Sequence, residues 1–167
     1  CETALYYPVS DFQGRINAEP IAKEFDALGR KLEDIAVDFD IADDDVIQTA
    51  EITDNGCIHI GRAEYKHIII PYGAHIPDAT QKALNRFIRC GGTVTYDLSD
   101  LKPVVQLDGN GLRAMHRKTA NEDIFILFNE SKEKCEYSVL LPSSNGYLLD
   151  LMNGTLQYLH TENGILK

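Results

Sequence analysis

The spacing of apolar residues changes in a regular order along the first part of the chain. Ala4-Leu-Tyr-Tyr-Pro-Val9 is a short β-prone run ending at Ser10 and Asp11, which predicts a buried first strand that enters a loop. From Glu19 to Ala36 the spacing of Ile21, Phe25, Leu28 and Leu32 draws one apolar stripe along a helix. Val37-Asp-Phe-Asp-Ile41 alternates as a strand does. Asp43-Asp44-Asp45 before Val46 and Ile47 predicts the capped start of a short helix.

Asn55-Gly56 is a hairpin-type turn, and Cys57-Ile-His-Ile60 after it predicts a small edge insertion. Tyr65 to Pro71 then reads as a core strand. Asp78-Ala-Thr-Gln81 has the form of a capping box opening a helix with Ala83, Leu84, Phe87 and Ile88 as its buried stripe. Gly91 supplies the left-handed stop, and Gly92 to Asp97 predicts the next strand. Strands alternating with helices at this spacing predict a parallel sheet covered on both faces, a flavodoxin-like three-layer α/β domain ending near Leu101. Its bounds are set at residues 1–103.

Past Pro103 the helical period is gone. Leu112–His116, Ile124–Asn129, Cys135–Leu141, Tyr147–Met152 and Leu156–His160 are strand candidates. Asn-Gly pairs at Asn110, Asn145, Asn153 and Asn163 punctuate them as hairpin signals. Residues 104–167 are therefore expected to form a small antiparallel β domain or half-sandwich. So short a β region buries little by itself, which predicts that it leans on the α/β domain or on further chain.

Composition narrows the function classes. A formal net charge of −10 with no lysine or arginine cluster argues against nucleic acid as a partner. No apolar run reaches membrane-spanning length. The four cysteines, Cys1, Cys57, Cys90 and Cys135, show neither CxxC pairing nor disulfide-scaffold density, and ordinary thiols are expected. The chain opens at Cys1 without an initiator methionine or a signal pattern, so we expect it to start inside a longer gene product or after processing. Nothing here points to a cell compartment.

The densest polar feature is the acidic run Asp38, Asp40, Asp43, Asp44 and Asp45, at the carboxyl end of the second strand where open α/β sheets bind ligands. It reads first as helix capping and a solvated acidic face, and second as a site for a hard cation or sugar hydroxyls. A calcium loop would also want spaced donors, a turn glycine and a closing glutamate. A phospho-acceptor receiver needs an acid after the third strand, where Pro71-Tyr-Gly73 stands. A flavin module needs a phosphate cradle, which Ser10-Asp-Phe-Gln-Gly14 does not make. No GxSxG elbow, HExxH or P-loop occurs. An amidotransferase nucleophile would sit on a strand-to-helix elbow, whereas Cys90 lies before the glycine pair on the helix side and reads as a structural thiol. His67 lies on an apolar strand; His75, in a loop, is the more exposed candidate. No catalytic residue, metal or cofactor is assigned.

Several of these segments carry a family resemblance. Asp38-Phe-Asp-Ile-Ala-Asp-Asp-Asp-Val-Ile47, Tyr65-Lys-His-Ile-Ile-Ile-Pro71, Gly91-Gly-Thr-Val94 and the opening Leu5-Tyr-Tyr-Pro-Val-Ser10 resemble the accessory domain of large multidomain glycoside hydrolases that is like class I glutamine amidotransferases. Leu112–Arg117, Ile124–Asn129 and Leu149–Gly154 are similar to the β-segment that follows it in α-L-rhamnosidase-like and β-galactosidase-like enzymes. The resemblance implies a non-catalytic support role in carbohydrate degradation, with the catalytic carboxylates on a separate barrel. The implied partners are that catalytic domain, carbohydrate, or a second copy. Candidate contact residues are Asp38, Asp40, Asp43, Asp44, His75, Arg113, His116 and Arg117; for the last three, plain strand-surface charge is the competing reading. A free-standing carbohydrate- or small-ligand-binding module is the alternative, disfavoured by the absence of tryptophan. An amidotransferase-like hydrolase with an unrecognised nucleophile is the remote one.

Overall fold

A computed structural model of the chain describes residues 2–13, 18–103, 105–108, 111–133, 138–141, 145–160 and 165–166. Its α/β part is built on a four-stranded parallel sheet. Strand β1 (Thr3–Tyr6) lies between β2 (Phe39–Ala42) and β6 (His67–Ile69), and β7 (Thr93–Thr95) closes the far side. Thr3 stands beside Phe39 on one side and His67 on the other, and Ile68 stands beside Val94. All of β1 is buried, as its unbroken apolar run predicts for a strand covered twice.

Alternation along β1 sorts two cores. Ala4 and Tyr6 point to one face with Ile47, Ile68, Ile70, Leu84 and Phe87, beneath helices α3 (Asp44–Thr49) and α4 (Asp78–Arg89). Leu5 points to the other with Leu28, Leu32, Val37 and Ile69, beneath α2 (Glu19–Asp34). Full burial of each such large side chain contributes roughly 1.5–3 kcal/mol. A short helix α1 (Val9–Phe12) follows β1.

Helix α2 starts with Pro20 in its first turn and stops at Ala36, whose φ is +52°. Val37 N–H returns to the Leu32 carbonyl at 2.9 Å, closing the last turn. A left-handed alanine is strained by about 1–2 kcal/mol, yet its buried methyl packs against Val105, Leu112 and Val139 of the β region. At Gly92 no side chain fits at all, since a Cβ there would lie 2.1 Å from the buried Phe87 ring.

Two sequence expectations for α4 change. The helix begins at Asp78 because the Pro77 carbonyl already accepts Gln81 N–H at 2.9 Å, so Asp78 lies in the first turn and no capping box forms. Its buried stripe is Thr80, Leu84 and Phe87, and Ile88 faces outward. At α3 the expected cap is present, with Asp43 accepting Val46 N–H at 3.0 Å.

The insertion is larger than the sequence suggests: β3 (Glu51–Ile52), β4 (Ile58–Ile60) and β5 (Ala63–Tyr65) form a separate antiparallel sheet with β4 central. Tyr65 closes β5, and the core strand β6 starts two residues later because Lys66 and His67 N–H both turn to the Glu2 carbonyl.

Among the described residues the β region forms three small antiparallel sheets. Strands β9 (Leu112–Lys118) and β10 (Asp123–Asn129) make a hairpin; β8 (Gln106–Asp108), β11 (Ser138–Leu140) and β14 (Ile165–Leu166) make a second sheet; β12 (Asn145–Asp150) and β13 (Thr155–His160) make a third. Strand β8 had no sequence signal of its own. Asn145-Gly146 is not a turn: it starts β12, with Gly146 opposite Leu159, and the reversal comes at Asn153-Gly154, where Gly154 has φ +67°. The Asn110 and Asn163 turns and the first residues of the 135–141 strand lie outside the described residues.

Candidate functional site

Open α/β sheets bind ligands at the carboxyl edge where the strand order reverses, and here the order β2-β1-β6-β7 reverses direction between β1 and β6. The chain closes this crevice itself. Buried Asp11, on α1, accepts the His75 backbone N–H at 2.7 Å, and Ser10 Oγ reaches the His75 carbonyl at 3.4 Å. The loop after β1 is thereby clasped to the loop after β6. The backbone of His75 makes the clasp while its side chain stays exposed.

The acidic run is dispersed rather than gathered. Asp38 accepts from Arg117 Nη1 at 2.8 Å. Asp40 accepts from the Tyr65 hydroxyl at 3.0 Å, and burial together with that bond pushes the phenol up to about 12. Asp43 caps α3. Asp44 accepts two buried hydroxyls, Tyr6 and Thr80, each at 2.7 Å, and Gln48 donates in turn to Thr80 at 2.8 Å. Burial and this carboxylate hold the Tyr6 phenol well above the ordinary tyrosine range. Asp38, Asp40 and Asp44 therefore each join separate elements of the fold, while Asp43 serves its own helix. Among the described residues no three metal-capable side chains converge.

Among the described residues no nucleophile is assembled either. Cys57 is buried, and a hydrogen bond to Glu64 and then burial push its thiol up, away from the reactive thiolate. Cys90 sits at the C-terminal end of α4. His67 lies on β6 with Nδ1 buried and unpaired.

The second region is the seam between the α/β part and the β9–β10 hairpin. Arg113 pairs with Asp34 at the end of α2 and with Glu130 at 2.9 Å. The Asp34 hydrogen bond is the main reason its guanidinium is held still more firmly charged. Arg117 pairs with Asp38, so two arginines four residues apart meet two aspartates four residues apart. His116 points to the opposite face, stacked on Phe125 at 4.6 Å with Nε2 2.7 Å from Asp123. Of the sequence candidates, the structure thus brings together Asp38, Arg113 and Arg117; Asp40, Asp43, Asp44, His75 and His116 lie in separate settings.

Beside this seam runs a groove of about 260 Å³ lined by Glu33, Val37 and Phe39 on one wall and Met115, Ile126 and Phe128 on the other. The sequence reading missed these residues. A signal was available: Ile124-Phe-Ile-Leu-Phe128 is apolar at both parities, so the strand has two faces to cover. Phe125 and Leu127 join the small core around Val105 and Val139, while Ile124, Ile126 and Phe128 remain outside.

The β12–β13 hairpin carries a further apolar surface. Tyr147 faces Tyr158 and Leu149 faces Leu156 across the pair, all four exposed, and the turn adds Leu151 at 78% and Met152 at 92% exposure. No family model, curated protein or solved structure matches the chain.

Proposed function

We propose that this chain is a non-catalytic accessory region of a glycoside hydrolase, a flavodoxin-like α/β domain of the class I glutamine amidotransferase type followed by an antiparallel β region, which supports a catalytic barrel lying outside it. The observation that carries the reading is the uncovered face of the β12–β13 hairpin. A two-stranded hairpin is marginal in water by itself, and contiguous exposed apolar surface of this kind marks a protein contact. Tyr147, Leu149, Leu156 and Tyr158 form one such face, with Leu151 and Met152 beyond it. The clasped crevice and the dispersed carboxylates fit a support role, and the sugar chemistry comes from the resemblance.

The test combines hydrolysis with stability. Alone, the chain should release nothing from a panel of p-nitrophenyl glycosides; joined to the barrel encoded beside it, it should raise the barrel's melting temperature. Replacing Tyr147 and Leu149 together by serine should remove that gain. Hydrolysis by the chain alone, or a melting temperature indifferent to its presence, overturns the reading. A second reading, a carbohydrate-binding module, draws on Tyr72 and Tyr96, exposed rings set edge to face at 6.5 Å beyond β6 and β7. Saturable binding of a soluble glycan, lost in Tyr72→Ala, would favour it.

A further inference from the structure

We infer that the groove between β2 and the β9–β10 hairpin docks an extended segment of a partner protein in which apolar side chains alternate with lysine or arginine. Three observations lead there. The first is the open edge of the parallel sheet. Strand β2 has β1 on one side and, among the described residues, no strand on the other. Tyr7 N–H bonds to the Ala42 carbonyl at 2.9 Å, so the Ala42 backbone faces β1. Alternation then turns the backbone groups of Phe39 and Ile41 towards the open edge. An added strand would find ladder partners there.

The second observation is the apolar wall. Met115 on β9 stands opposite Ile126 on β10, and Ile124 and Phe128 flank it on the same face. All four are exposed, Phe128 at 62%. Side chains of one parity from an incoming strand could cover them.

The third is charge, which selects the occupant. The rim holds four carboxylates, Glu33, Asp34, Asp38 and Glu130, and two guanidiniums, Arg113 and Arg117, each already paired with one or more of those acids. Carboxylate is in excess at the rim, as it is over the chain at −10. A second copy would bring another acidic rim against this one and meet repulsion, whereas a basic strand would be steered in. The inference deepens the support role above by naming the chemistry of one contact. It uses a surface distinct from the β12–β13 hairpin, so either can fail alone.

The experiment is a titration of the isotope-labelled chain with an acetylated Lys-Ile-Lys-Ile-Lys-Ile-Lys amide, followed by amide chemical shifts. Two control peptides carry serine for isoleucine, or glutamate for lysine. The Lys-Ile peptide should shift amides of residues 37–42 and 113–128 and bind about tenfold tighter than either control, a difference of roughly 1.4 kcal/mol. Ile126→Ser, at an exposed position that leaves the fold intact, should weaken it roughly fivefold. The Tyr147 and Leu149 double serine variant should bind it unchanged. Equal affinity for the Lys-Ser peptide, shifts spread over acidic surface elsewhere, or indifference to Ile126→Ser overturns the inference.

Discussion

Asp44 illustrates how much of this molecule's chemistry is structural. Its Oδ1 accepts both the Tyr6 and Thr80 hydroxyls, groups on β1 and α4 that are fully buried. Asp44→Ala leaves both donors without an acceptor, and a buried donor so stranded costs about 1–3 kcal/mol. Urea unfolding should show a loss of about 2–4 kcal/mol for Asp44→Ala, while Asp44→Asn, which keeps an acceptor oxygen, should retain most of the stability. A loss below about 0.5 kcal/mol in the alanine variant would mean that water already serves these hydroxyls. The buried phenols also set a pH limit. Tyr65 is raised from 10.0 to about 12 by burial and then by Asp40. The fold therefore holds this proton more tightly than the unfolded chain does. The resulting stability is complete below the ordinary value and is lost as pH rises through the folded one. The unfolding midpoint should fall between pH 10 and about 12, and Tyr65→Phe should flatten that part of the profile. An identical slope in the variant would assign the loss to other groups.

Among the elements, protection should follow coverage. Strands β1 and β6 lie between two helical layers, whereas among the described residues β12 and β13 pair only with each other. Hydrogen exchange should therefore find the amides of residues 145–160 exchanging through local opening, well before those of residues 3–6 and 67–69. Equal protection of the two groups would show that the hairpin is held by contacts beyond its own pair. The same contrast explains what could be read from the sequence. The parallel α/β part was legible because Leu5, Leu28, Leu32 and Ile68 carry their period whatever the tertiary context. The Asp43 cap was legible for a similar reason, since its partner lies three residues away. The Asn145-Gly146 reversal was not, because cross-strand pairing of Gly146 with Leu159 outweighs a local turn preference. The same holds for Asp78, displaced as a cap by the Pro77 carbonyl. The groove was hidden for a different reason: its walls come from distant segments, and only the double apolar parity of residues 124–128 hinted at a second face.

At the scale of the whole molecule, the two parts of the chain meet through the small core around Ala36 and through the Arg113 and Arg117 pairs. These ion pairs are partly exposed, Asp34 at 62%, so each is worth at most about 1 kcal/mol. Arg113→Ala should lower stability by that amount or less, with the loss shrinking at high salt; a loss of several kcal/mol would mean that the guanidinium also packs the joint. Their modest energy conceals a geometric function. The aspartates are fixed in spacing by the end of α2 and the start of β2. The strand that answers them must present its guanidiniums at the same interval. Slipping β9 by one residue turns its arginines to the wrong face. Slipping it by two brings Met115 together with Thr119 or Gly111 to the acids, and none of these can answer a charge. The joint thus works as a gauge, cut into the first part of the chain, that accepts a single setting of the second.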